Sequence, residues 1–129
     1  MKKIIHFAIC GQSIIEVVVA LALIAVVILG LARVTISSIN NASFARDQRG
    51  ATKYAQEGIE KARKLKEENE AVFWNKSGTE TETIGKFKRE TTWTEIEDNQ
   101  KMQVEVRVWW QDSRGVHESD LESYLTKWK

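Results

Sequence analysis

The stretch GQSIIEVVVALALIAVVILGLA, residues 11–32, decides how the rest of the chain is read. Residues 17–32 are all apolar or Gly, and the run reaches back through Ile14 and Ile15, interrupted by Glu16. As a helix rising ~1.5 Å per residue, residues 14–32 extend ~28 Å, close to the thickness of a hydrocarbon core. That length predicts a membrane-spanning helix. A carboxylate at such depth costs on the order of 3 kcal/mol on insertion scales, so Glu16 calls for a partner. Ahead of the run is the basic segment MKKIIHFAIC, in which Lys2 and Lys3 set the orientation. By the positive-inside bias they hold that end in the cytoplasm, and the remainder of the chain is exported.

The junction Gly11-Gln12-Ser13-Ile14-Ile15-Glu16, followed by Val17-Val18-Val19-Ala20-Leu21, resembles the processing site of type IV prepilins and type II secretion pseudopilins. In that family a dedicated peptidase cuts after the glycine, on the cytoplasmic side of the apolar run, and methylates the new N-terminus. The resemblance implies cleavage between Gly11 and Gln12, N-methylation of Gln12, and Glu16 as the fifth residue of the mature chain. It further implies a structural subunit of a type IV pilus or type II secretion-like pseudopilus, first held in the inner membrane and then assembled through its N-terminal helix. The implied partners are the prepilin peptidase and N-methyltransferase, other pilin or pseudopilin subunits, the membrane and a filament assembly platform, with no small-molecule substrate and no cofactor. Gln12 stands where the commonest pilins have Phe, and no Pro lies within the apolar helix. Gln12 in the first mature position, with Glu16 four residues on and a Val-rich run after it, points towards a minor pilin or pseudopilin. For Glu16 the expected role is pairing with the methylated amino group of Gln12 in a neighbouring subunit. Both charges would otherwise sit unpaired among apolar helices, so docking relieves a penalty of several kcal/mol and sets axial register.

Other readings of the same run compete. A secretory signal cut after Gly30-Leu31-Ala32 fits a small-x-small pattern, but has no need of Glu16 or of the Gly11-Gln12-Ser13 junction. A plain single-span anchor carrying a non-polymerising extracytoplasmic binding domain is compatible with the span length alone. Lipidation of Cys10 is disfavoured, because only residues 4–9 precede it where an apolar region of ~7–15 residues is required.

The chain of 129 residues has room for one small domain plus a long helix. Its net charge is +1; without Lys2 and Lys3, 17 basic residues remain against 18 acidic ones. A near-neutral balance gives no support to a nucleic-acid-binding surface. The single cysteine, Cys10, falls in the expected leader, so the exported part has no disulfide and depends on packing and assembly.

Beyond Arg33 nothing forces the helix to stop, since the chain has no Pro. Gly30 and Gly50 weaken it by ~1 kcal/mol each relative to Ala and are soft points rather than ends. Ala51, Tyr54, Ala55, Ile59, Ala62 and Leu65 recur at helical spacing as one apolar stripe, while Lys53, Glu57, Glu60, Lys61 and Lys64 make a solvated face with supportive i, i+4 pairs. The helix is expected to run from about residue 12 to about residue 70, ~90 Å. Ala71-Val72-Phe73-Trp74 reads as its end, and residues 75–79 as a loop.

Three β-like runs follow. Residues 83–96 carry Ile84, Phe87, Trp93 and Ile96; MQVEVRVWW, residues 102–110, places Met102, Val104, Val106 and Val108 on one face; residues 116–128 carry Leu121, Tyr124, Leu125 and Trp128. The acidic start of the last run, HESDLES, is expected as a turn, a short helix or the strand's beginning. The predicted fold class is α+β: a long N-terminal helix, membrane-spanning in its first half, packed on a small three-stranded antiparallel sheet. The expected segments are a cleaved leader (1–11), a transmembrane and filament-core helix (12–33), its extracytoplasmic continuation (34–72) and a β region (73–129).

No catalytic residue and no metal site is expected. His117, Ser119 and Asp120 lie too close along one element to converge as nucleophile, base and orienter. Glu118, Asp120 and Glu122 alternate, which is not a calcium-loop spacing. Five Trp are many for this length, and packing is their default role. Adjacent Trp109 and Trp110 must point to opposite faces of a strand, so at most one can face the helix; the other is expected at a subunit contact.

Overall fold

The computed structural model of the chain describes residues 7–97 and 100–127, with side chains from residue 13 onward. Lys2 and Lys3, and Trp128 of the last apolar set, lie outside the described residues. Helix α1 spans Phe7–Glu68, and a one-turn helix α2 spans Glu70–Trp74. Asn69 separates them, its side chain accepting a hydrogen bond from the Val72 N–H at 3.2 Å and so satisfying one orphan donor of α2. Four strands follow: β1 (Gly78–Ile84), β2 (Phe87–Glu97), β3 (Lys101–Asp112) and β4 (Gly115–Thr126). They form one antiparallel sheet in the order β1-β2-β3-β4, each strand paired with its neighbour in sequence.

The sheet therefore has four strands and not the expected three. Residues 83–96 do not make one strand, because Gly85, at φ +60°, opens a two-residue turn that pairs Ile84 with Phe87. The added strand β1 reads GTETETI and falls partly in the stretch expected as loop. Only Ile84 in it is apolar, so it lacks the hydrophobic alternation by which a strand is recognised. At the other end, HESDLES is neither turn nor helix but the regular middle of β4, alternating between exposed and half-buried positions.

The chain divides into two compact units, Met1–Ser43 and Phe44–Lys129. In the first, every described side chain from residue 13 to residue 42 is exposed, including Ile14, Val18, Leu21, Ile24, Ile28 and Leu31. A helix apolar on all its faces has no single side to bury against a domain and requires an apolar surround. By length and composition the described residues hold one helix able to cross a membrane, which is compatible with a single-pass anchor.

In the second unit, Ala51, Ala55, Ile59 and Ala62 of α1 face Met102, Val104, Val106, Val108 and Trp110 of β3 in one core. Phe73 and Trp74 of α2, Phe87 and Trp93 of β2 and Leu125 of β4 complete it. The expected stripe thus holds, with Tyr54 and Leu65 on its margins, only partly buried. Small residues on α1 let the helix sit close on the sheet. At Gly58 a Cβ would stand 2.8 Å from Val106 Cγ1, nearer than side-chain carbons approach. A register shift between Glu95 and Glu97 takes Ile96 out of alternation, and it is 45% exposed rather than part of the core.

Candidate assembly and processing site

Gly11, Gln12 and Glu16 lie within α1. Glu16 is exposed between Ile15 and Val17, and makes no ion pair among the described residues. Gln12 precedes it by four positions, one helical turn or ~6 Å along the axis. The side chains of Gly11 and Gln12 are outside the described residues, as are Lys2 and Lys3. What α1 presents around Glu16 is one carboxylate on an otherwise apolar, uncovered surface; Ile14, Val18 and Val19 are each more than half exposed.

The head carries the other charged groups of interest. Arg89 was not singled out by sequence reasoning, yet it is 3% exposed and sits between Phe87 and Trp93 on the core face of β2. Its guanidinium donates to the Tyr54 carbonyl of α1 at 3.1 Å and pairs with Glu82 of β1. The Arg89 hydrogen bond, and then its charge, hold the Glu82 carboxyl below the usual carboxylate range. Lys61 of α1 approaches the same carboxylate at 3.5 Å. β1 is held by its backbone ladder to β2, and with little apolar surface to bury it is fastened to the head further by the ion pairs of Glu82. The cleft beside it, about 410 Å³, is lined by Lys61, Lys76, Glu80, Glu82, Arg89 and Trp93 among others. Its cations are already taken up, Lys76 by Glu80 and Arg89 by Glu82. A second buried charge, Asp47 of α1, meets Lys86 of the β1-β2 turn at 2.5 Å. The strict alternation of β2 was the signal that could have revealed Arg89, once Phe87 and Trp93 were both placed inward.

The three residues that resemble a hydrolase set in sequence are separated by the pleat. His117 and Ser119 face α1, whereas Asp120 faces away, paired across the ladder with Arg107. His117 bonds Asp112 at 2.9 Å, and its ring packs edge-on to Phe44 with centroids 5.0 Å apart. The hydrogen bond from His117, followed by that from the Arg114 backbone N–H, keeps Asp112 below the usual carboxylate range. Ser119 shares a hydrogen bond with Thr52 of α1, 3.3 Å between the hydroxyl oxygens. These contacts join β4 to the helix.

Glu118, Asp120 and Glu122 form a row on the outer sheet face, and Glu122 accepts a hydrogen bond from Tyr124, whose own ionisation is pushed up by it. Among the described residues no group of three or more His, Cys, Asp and Glu is placed to hold a metal ion. Trp110 is buried at 1% exposure, while Trp109 points to the opposite face and is half-buried. Set against protein-family models, curated proteins and solved structures, the chain matches none.

Proposed function

We propose that this chain is a structural subunit of a type IV pilus or type II secretion-like pseudopilus, a minor pilin-like protein rather than an enzyme. The observation that carries the reading is Glu16: one carboxylate, without a partner in its own chain among the described residues, within residues 14–32 of α1, which are otherwise apolar and uncovered on every face. Unsatisfied charge of this kind is costly in hydrocarbon and is retained where a partner neutralises it. The Gly11-Gln12-Ser13 junction one turn earlier offers that partner if a prepilin peptidase cuts after Gly11, since cleavage exposes an amino group at Gln12. In this reading the precursor sits in the inner membrane with Lys2 and Lys3 in the cytoplasm. The peptidase trims and N-methylates it, and the apolar helix then packs among those of other subunits while the head stays outside.

Intact-mass analysis of the chain extracted from membranes tests the proposal. Loss of residues 1–11 with gain of an N-methyl group supports it. A retained leader favours the single-span anchor with a binding domain, and a chain beginning at Arg33 favours a secretory signal.

A further inference from the structure

Charge is unevenly placed along the head. Phe44 of α1 packs against His117 and beneath the Arg114 guanidinium, Asp47 pairs with Lys86, and Gly50 lies against Phe87. The β1-β2 and β3-β4 turns therefore both stand at the end of the head where α1 enters it. Lys66 and Glu70, which meet Thr126 and Lys127, mark the opposite end. The entry end, taken as residues 44–50 of α1 with the sheet up to the cross-strand level Thr83-Lys88-Trp109-Glu118, covers residues 44–50, 83–88 and 109–118. It holds five basic residues against three acidic ones, a net +2, while the rest of residues 44–129 holds eleven against fourteen, a net −3. Two of its three acids are engaged, Asp47 buried against Lys86 and Asp112 beside His117 and Arg114. Arg46, Arg49 and Lys88 are exposed and make no ion pair among the described residues, which leaves Glu118 as the exposed acid of this end.

These cations are distributed around the end instead of gathering on one side of it. Arg46 and Arg49 lie on the side of α1 opposite the stripe of Ala51, Ala55, Ile59 and Ala62, Lys88 lies on the outer face of β2, and Lys86 and Arg114 occupy the two turns. A groove or a small-ligand site draws charge to one side; a ring of it suits a plane approached end-on. Val116, 69% exposed next to the β3-β4 turn, adds an apolar side chain to that ring. We infer that, while the chain is held in a membrane, the entry end of the head rests on anionic lipid headgroups, with Arg46, Arg49 and Lys88 set against lipid phosphates and Val116 at the interface.

Chain connectivity supplies the occupant. Helix α1 is unbroken from Phe7 to Glu68, and twelve residues separate Ala32, where the apolar run ends, from Phe44. Twelve helical residues reach ~18 Å at most. Headgroups fill the first ~6 Å beyond the hydrocarbon, so the entry end is never more than ~12 Å from them, a distance of the order of the ~8 Å Debye length. Tilting of the span shortens that gap further. A tether of this length keeps the lipid surface at high effective concentration, so contacts too weak to recruit a soluble protein suffice to seat a tethered one. The same surface repels the acidic remainder of the head, and the two effects favour one pose. The inference goes beyond the filament proposal and does not rest on it: it requires the membrane span alone and describes the chain before any assembly.

The test uses the full chain with Cys10→Ser, carrying a fluorophore on Val116→Cys or, at the far end of the head, on Glu67→Cys. It is reconstituted in vesicles of phosphatidylcholine alone or with phosphatidylglycerol, diluted until most vesicles hold a single chain. Quenching by a lipid spin-labelled at its headgroup reads the distance of each fluorophore from the surface. Phosphatidylglycerol is expected to raise quenching at position 116 about threefold or more and to leave position 67 unchanged. Salt at ~1 M, where the Debye length falls to ~3 Å, removes the increase. So does the triple variant Arg46→Glu, Arg49→Glu, Lys88→Glu, whose exposed positions leave circular dichroism and unfolding temperature unaltered. Quenching that ignores phosphatidylglycerol or the triple variant overturns the contact, and equal gains at 116 and 67 overturn the end-on pose. A DNA duplex that binds the chain in phosphatidylcholine vesicles, where phosphatidylglycerol has no effect, reassigns the ring to nucleic acid. Release of the chain from vesicles by alkaline carbonate removes the span itself, and the inference falls with it.

Discussion

Val106 packs against bare backbone at Gly58: a Cβ added there would meet Val106 Cγ1 at 2.8 Å and Cγ2 at 3.1 Å, with Arg89 Cδ 3.3 Å away. One glycine thus admits both a core valine and the arginine that reaches the Tyr54 carbonyl. Gly58→Ala gains up to ~1 kcal/mol of helix propensity but overpacks the core, at about 1–3 kcal/mol. The expected net effect is a lower unfolding temperature, larger for Gly58→Val. Adding Val106→Ala to Gly58→Ala recovers part of the loss, which separates the clash from a backbone effect.

The pair Arg89 and Glu82 is asymmetric, with side chains 3% and 54% exposed. Removing the exposed member strands a buried guanidinium, whereas removing the buried member leaves a carboxylate that water can solvate. Glu82→Gln is therefore expected to destabilise the head more than Arg89→Met. The latter fills the slot with an apolar chain of similar length, and exchanges of that kind change stability little or raise it by ~1 kcal/mol or more. Urea unfolding of the two variants side by side checks the order.

Trp109 and Trp110 are neighbours with different surroundings. Trp110 packs against Phe44 and Phe87, ring centroids 6.1 and 6.0 Å apart. Trp110→Ala is expected to cost about 3–5 kcal/mol of head stability, as for other buried aromatic truncations. Trp109→Ala removes a half-buried ring from the outer face and costs clearly less, while it lowers association. Equal losses in denaturant unfolding would show that the two rings are equally enclosed.

Acid is expected to loosen the head at identifiable points. Asp112, Glu82 and Glu70 are each held below the usual carboxylate range, chiefly by hydrogen bonds from His117, Arg89 and the Trp74 indole respectively. A carboxyl depressed in the folded state stabilises that state above its unfolded pKa and loses the contribution as pH falls through the native value. The unfolding temperature should thus be level near neutrality and decline below the usual carboxylate range. Asp112→Asn lowers the neutral value and flattens the decline.

For the filament reading, Glu16→Ala should leave cleavage after Gly11 and membrane insertion intact while impairing assembly. Mass analysis and fractionation check the first two, and cross-linking the third. A Glu16→Ala chain that assembles normally removes the register role from Glu16.

Periodicity carried the long helix, the stripe Ala51-Ala55-Ile59-Ala62 and the inward face of β3 in full, because apolar side chains at a constant angular step record which way an element faces. The uninterrupted run around Glu16 was equally legible, since a helix apolar on all sides depends on composition alone. Tertiary structure decided what periodicity does not encode. Strand β1, nearly devoid of apolar residues, is part of the sheet through its backbone ladder to β2, to which Glu82 adds ion pairs with Arg89 and Lys61; partners distant in sequence leave no local pattern to announce them. Gly58 looks like any helical glycine until Val106 is laid over it. Likewise, Glu118 and Asp120 are placed on the outer face and His117 and Ser119 on the inner one only after the hairpins fold, when strand register assigns each side chain to one face of the sheet or the other.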